Sequence, residues 1–139
     1  MQTPIDINLV SVEEYLQGEQ ISEIKHEYVC GQVFAMSGAS RAHNLIAGNI
    51  YALLRSHLRG SSCRTFISDM KVKLTTAQKN NDLFYYPDVV VTCNQEDDRK
   101  FFLTSPCSIF EVLSPSTETT DRREKRLNYQ NSDSLQEYI

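Results

Sequence analysis

Apolar positions along the chain switch between two periods, and the switches divide it into helices and strands. Ser11-Val12-Glu13-Glu14 has the form of a capping box, with Ser at the N-cap and Glu three residues on, so a short helix is predicted from there to about residue 18. Residues 26–37 read as a hairpin: His26-Glu27-Tyr28-Val29-Cys30, a turn near Gly31, then Gln32-Val33-Phe34-Ala35-Met36. Ser40 opens a longer helix reaching about Leu58. Its Ile46, Ile50, Leu54 and Leu58 recur every four residues, with Leu45 and Leu53 widening the stripe, so one face is predicted to pack on a sheet.

The second half is richer in strands. One strand is predicted from Arg64 to Leu74, with Phe66, Met70, Val72 and Leu74 on one side and Asp69, Lys71 and Lys73 on the other. The polar stretch 75–82 is a loop. Residues 84–93 give the strongest strand pattern, with Pro87 at its entry because proline cannot donate to an interior ladder. Alternation there puts Tyr86, Asp88 and Val90 on one face. After a charged loop, 94–100, the run Ser108 to Leu113 is a further strand, on which Ile109, Glu111 and Leu113 share a face. Ser114-Pro115-Ser116-Thr117 stops it, and Asp121 with Glu124 starts a helix to about Tyr129. The expected fold is α/β, a central mixed β-sheet flanked by helices.

Length and composition set bounds on this picture. A chain of 139 residues with 40% hydrophobic and 23% charged side chains is a single globular domain by size. The net charge is −4, and both halves are mildly acidic: residues 1–70 carry 5 basic and 7 acidic side chains, residues 71–139 carry 9 and 11. That argues against a tight non-specific nucleic-acid binder, though carboxylates that hold a metal contribute to such a balance. Cys30, Cys63, Cys93 and Cys107 are widely spaced, without a Cys-x-x-Cys pair, and are expected to be buried free thiols. No basic, then apolar, leader and no apolar run near the roughly 20 residues that span a membrane is present, so a cytoplasmic protein without membrane contact is expected.

The candidate chemistry comes from two carboxylates. Asp88 opens one apolar strand and Glu111 sits inside another, where an unpaired charge costs several kcal/mol or neutralises. If the two strands pair with these faces coincident, the carboxylates meet at a sheet edge and repel unless a cation stands between them. Mg²⁺, held by one or two carboxylates plus water and phosphate oxygens, suits such a pair. Asp69 is a candidate third oxygen ligand.

Tyr86-Pro87-Asp88, the block Glu111-Val112-Leu113-Ser114-Pro115-Ser116-Thr117, and Asp121, Lys125 and Tyr129 together resemble a large bacterial family of restriction-endonuclease-like proteins in the PD-(D/E)xK nuclease superfamily. Glu27 to Val33 and His43 match the same pattern, so the resemblance covers nearly the whole chain, as one domain over residues 1–139. It implies a restriction-endonuclease-like fold and a metal-dependent nuclease acting on DNA, with Asp88 and Glu111 binding Mg²⁺ or Mn²⁺. Glu27 and His43 are then candidate supporting residues. The superfamily's lysine two residues after the glutamate is replaced here by Leu113. The resemblance implies that Lys125 on the next helix takes its role, with Lys71 as the rival. Relatives continue past a segment like Glu137-Tyr138-Ile139, which implies a domain shortened at its C-terminus, with an exposed edge that a homodimer would cover. The alternative is a non-catalytic nucleic-acid or protein-interaction module that keeps the fold, an idea favoured by Leu113 and the acidic balance.

Overall fold

The computed structural model describes residues 9–75, 82–113 and 119–139. Ser114-Pro115-Ser116-Thr117, most of the predicted loop 75–82 and the side chain of Asp121 lie outside the described residues. Helix α1 (Val12–Ile21) begins with the predicted capping box: the Glu14 N–H donates to Ser11 Oγ and the Ser11 N–H to Glu14 Oε1. Strands β1 (His26–Val29) and β2 (Gln32–Ala35) form the expected hairpin. Its two-residue turn has φ of 48° at Cys30 and 92° at Gly31, the left-handed pair that matches strand twist and favours glycine. Helix α2 (Arg41–His57) follows, N-capped by Ser40.

The two long strands predicted next are each broken in the middle. The first becomes β3 (Arg64–Ile67) and β4 (Lys71–Thr75), the second β5 (Asp82–Tyr85) and β6 (Val89–Thr92). β3 pairs with β6 and β4 with β5, so residues 64–92 form one long antiparallel hairpin kinked at mid-length. Between the rungs Ile67↔Val89 and Val72↔Tyr85, four residues on one strand face three on the other. The odd residue is a bulge, marked by Ser68 at φ 26°, and bulges bend strands and re-aim side chains. The Ser68 N–H closes the kink on the Asp88 carbonyl at 3.0 Å.

The kink divides the expected central sheet into two mixed sheets. One has the order β2-β1-β5-β4-β7, where β7 (Phe102–Leu103) runs parallel to β4. The other has the order β3-β6-β8-β9, where β8 (Ser108–Phe110) is antiparallel to β6 and β9 (Glu137–Tyr138) is parallel to β8. Helix α3 (Thr119–Gln130) connects β8 to β9. Val72, Leu74, Leu83 and Tyr85 from the first sheet and Val90 and Ile109 from the second meet Tyr129 of α3 in the main core. Tyr15 of α1 packs with Tyr28 and Phe84 on the other side of the first sheet.

Three expectations are corrected. Tyr86 does not share a face with Asp88 and Val90: Tyr85 and Val90 both enter the main core, and Tyr86 instead meets Glu19 of α1, because the kink at Pro87 reverses the alternation. Leu45 and Leu53 do not widen the packed stripe of α2. They are 58% and 73% exposed, while Ala47 is buried on the face that meets β3 and β6. Finally, Cys63 and Cys93 are not free thiols. One rung beyond Arg64↔Thr92 their Cα atoms are 4.0 Å apart and a disulfide joins them, leaving Cys30 and Cys107 free. A separation of 30 residues gives no hint of that register.

Candidate active site

Antiparallel pairing of β6 with β8 places Val89 opposite Phe110 and Val90 opposite Ile109, so the next rung sets Asp88 opposite Glu111. This is the coincidence of faces that the sequence required. β6 begins and β8 ends one residue short of this position. The Glu111 N–H donates to the Ile139 carbonyl (2.8 Å), and the Ile139 N–H to the Ile109 carbonyl (2.8 Å), so the backbone beneath Glu111 is tied to β9.

Asp88 is held by two donors on one oxygen: the Val112 N–H at 2.6 Å and His43 Nε2 at 3.2 Å from Oδ2. His43 lies in the first turn of α2, where Ser40 Oγ accepts its backbone N–H. The Asp88 and His43 side chains are only 15% and 16% exposed. The Val112 donor could not have been found in the sequence, because a backbone N–H has no residue signature.

Glu111 is the strained group electrostatically. Removal from water, and then the neighbouring Asp88 charge, push its carboxyl up to about 8, against the opposing pull of the Lys125 ammonium. Tyr129 OH reaches Glu111 Oε1 at 3.5 Å, the long limit of a hydrogen bond. Lys125 comes from α3, four residues before Tyr129 and therefore on the same helical face. Its ammonium is 2.5 Å from Glu27 Oε2 on β1 and 5.4 Å from the centre of the Tyr85 ring. Asn128, one turn on, donates to Tyr85 OH at 2.9 Å, which fixes the helix on β5.

The structure therefore gathers Asp88, Glu111, Lys125, Glu27 and His43. Asp69 is not brought to them. It sits in the β3–β4 bend with a side chain 89% exposed, paired to Lys25 at 3.3 Å. Lys71, the rival lysine, is also elsewhere: its buried ammonium lies 5.3 Å from the Tyr86 ring centre, and burial lowers its pKa while Glu19 opposes that shift. Leu113, at the position of the superfamily's lysine, is 64% exposed.

The donor set suits a hard divalent cation. With every group ionised, Asp88, Glu111 and Glu27 set three negative charges against the single charge of Lys125, an excess of two. Among the described residues, however, no three His, Cys, Asp and Glu side chains stand close enough to hold a metal ion by themselves. Protein oxygens from Asp88 and Glu111 would need water or substrate oxygens to complete coordination, as Mg²⁺ commonly does. A polar cleft of about 350 Å³, lined in part by Lys73, Thr104 and Asn128, opens beside α3 one turn from Lys125, away from the carboxylates.

Comparisons with known proteins agree with this architecture. Two uncharacterized proteins of Synechocystis sp. (strain ATCC 27184 / PCC 6803 / Kazusa) are similar. One is 41% identical over 131 residues, covering 94% of this chain and 67% of its own length. The other is 31% identical over 134 residues, covering 94% and 73%. Among solved structures, one described as "a putative nuclease" from Anabaena variabilis ATCC 29413 superposes with a TM-score of 0.69 at 16% identity, over 92% of this chain and 74% of that one, which shows a shared fold. No helix among the described residues is long and apolar enough to cross a membrane. The sequence profile of the Uma2 family, described as "Putative restriction endonuclease", matches residues 12–139, and the chain belongs to that family.

Proposed function

We propose that the protein is a metal-dependent nuclease that hydrolyses phosphodiester bonds of DNA at Asp88, Glu111 and Lys125. The observation that carries this reading is the approach of Asp88 to a desolvated Glu111 carboxyl, with Glu27 and one lysine beside them. Asp88 and Glu111 would hold Mg²⁺ or Mn²⁺, which when bound lowers the pKa of water and stabilises charge on a phosphate.

The chain's own groups have separable tasks. His43 and the Val112 N–H fix one oxygen of Asp88, leaving the other to face outward chemistry. Lys125 supplies a fixed positive charge where a phosphate gains negative charge, the preorganised electrostatics that usually dominates such catalysis. Glu27 and the Tyr85 ring restrain that ammonium. Tyr129 OH supports Glu111.

Nicking of supercoiled plasmid in Mg²⁺ or Mn²⁺, wild type against Glu111→Gln, tests the reading. Cleavage by the wild type alone supports it, and equal cleavage by both moves the chemistry away from Glu111. Leu113 in place of the superfamily's lysine favours the second reading, a binding module without turnover. DNA binding with no cleavage in either metal would select that module.

A further inference from the structure

The acidic balance of the chain conceals a segregation of charge. Between Tyr28 and Ser68 there is no Asp or Glu, and the segment holds Arg41, Arg55, Arg59 and Arg64. Elsewhere 10 basic side chains meet all 18 acidic ones. Helix α2 occupies the centre of this acid-free stretch, with His43 in its first turn touching Asp88.

Helical geometry aligns the charges. Arg41, Asn44, Gly48, Ala52 and Arg55 follow one another by three or four residues, so they form a single line on one flank of the helix, roughly 100° around from the packed Ala47. Arg59 continues the line past the helix end. Arg41, Asn44, Ala52, Arg55 and Arg59 are exposed. A Cβ added at Gly48 would meet nothing within 4 Å, so the middle of the line is open. Among the described residues none of Arg41, Arg55 and Arg59 pairs with a carboxylate. From Arg41 to Arg55 the rise is about 21 Å, roughly six steps of about 3.4 Å along one nucleic-acid strand.

We propose that this side of α2, from Arg41 through Arg55 to Arg59, is the surface along which the phosphate backbone of DNA lies as it reaches Asp88 and Glu111. The proposal rests on the nuclease reading for its substrate. The charge complementarity, and the origin of the helix at Asp88, favour this occupant over others. Small side chains at the centre of the line admit a backbone, and cations at its ends hold phosphates. Such contacts carry no base information and are strongly salt-dependent.

The test is fluorescence anisotropy of a labelled 20-base-pair duplex with the whole protein in Ca²⁺, over a salt series. It compares the wild type, Arg41→Gln/Arg55→Gln, and the charge-matched Arg99→Gln/Lys100→Gln. The α2 pair is expected to bind about tenfold more weakly and to lower the slope of log K against log salt by about 2, with the loop pair close to wild type. An equal effect of both pairs, or of neither, overturns the surface, as does the absence of duplex binding by the wild type. Retained DNA binding with loss of self-association, or of binding to phosphatidylserine vesicles, in the α2 pair also overturns it, in favour of a second copy or a membrane surface. Plasmid nicking is scored separately. Nicking with an unchanged slope removes the surface and keeps the nuclease reading, and a changed slope without nicking does the reverse.

Discussion

Lys125 and Glu27 stand 2.5 Å apart although a helix near one end of the chain carries the first and a strand near the other end carries the second. Their side chains are 17% and 13% exposed, so the pair is largely removed from water. Removing one partner of such a pair leaves the other charge buried, which costs more than the pair contributes. Lys125→Met and Glu27→Gln are each expected to lower the melting temperature, and the double variant less than the sum, with a coupling of about 1–3 kcal/mol. Cleavage should fall at least about 100-fold in Lys125→Met, the scale of losing one positioned charge-stabilising group. Additive losses in a denaturant-unfolding cycle would show that the two residues act independently.

Glu111 gives the metal-free protein a pH dependence of known sign. Its folded pKa of about 8 lies above its ordinary value of 4.5, so between these values the folded chain keeps a proton that the unfolded chain has released. Its contribution to stability is whole below 4.5 and is lost as pH rises through about 8. In chelator, melting temperature should fall as pH rises across that window, by several degrees, and Glu111→Gln should flatten the fall. Mg²⁺ should restore stability chiefly at the upper end, where the carboxylate is free to bind it. A pH profile identical in wild type and Glu111→Gln would remove this assignment.

On the proposed nuclease reading, His43 would act on a bound metal through Asp88. Losing the Nε2 contact at 3.2 Å frees Asp88 to rotate about its remaining bond to the Val112 N–H. His43→Ala is expected to weaken Mn²⁺ binding by about 10–100-fold, the usual scale for a group that orients a ligand. Titration calorimetry reads this directly, and an unchanged affinity would reduce His43 to a packing residue of α2.

Asp69 supplies the opposite expectation. Its exposed pair with Lys25 is of the kind worth about 0–1 kcal/mol. Asp69→Asn should therefore cleave and melt like the wild type. A marked loss of cleavage would mean that the β3–β4 bend closes over the site when substrate binds.

The Cys63–Cys93 bond closes a loop across the β3–β6 pair with a separation of 30 residues. Loop-closure arguments give about 3–4 kcal/mol for such a link. Dithiothreitol should lower stability by up to that amount in the wild type and leave Cys63→Ser unaffected. Equal responses of the two proteins would show that the bond carries no stability.

Much of this architecture was legible in the sequence, and the failures share a cause. Capping residues, the Gly31 turn and the alternation around Val90 and Ile109 are local signals, and each marked its element. Local alternation also sufficed to bring Asp88 to Glu111, because the short β6 and β8 are regular up to that rung. The division of the sheet was not legible, since a bulge at residues 68–70 depends on pairing with distant residues. The disulfide was hidden for the same reason, and the Val112 donor because a backbone N–H has no residue signature. Counting charge by halves missed the acid-free stretch because its boundaries, Tyr28 and Ser68, both lie within the first half. A straight strand over 64–74 would carry Asp69 towards the site, and the bend marked by Ser68 leaves it exposed beside Lys25.

The reversal at Pro87 has a consequence for how the site fails. A regular strand would send Tyr85 and Asp88 to opposite sides, yet the chain changes phase between them and Tyr85 joins Val90 in one interior. The site is thus encoded partly in residue count, a parity that no side chain carries. One residue inserted or deleted between Tyr85 and Asp88 would leave both carboxylates present and put the first sheet, with Glu27 and Tyr85, out of phase with them, whereas many substitutions there would not. Chain length across those few positions is as much a determinant of the site as the carboxylates themselves.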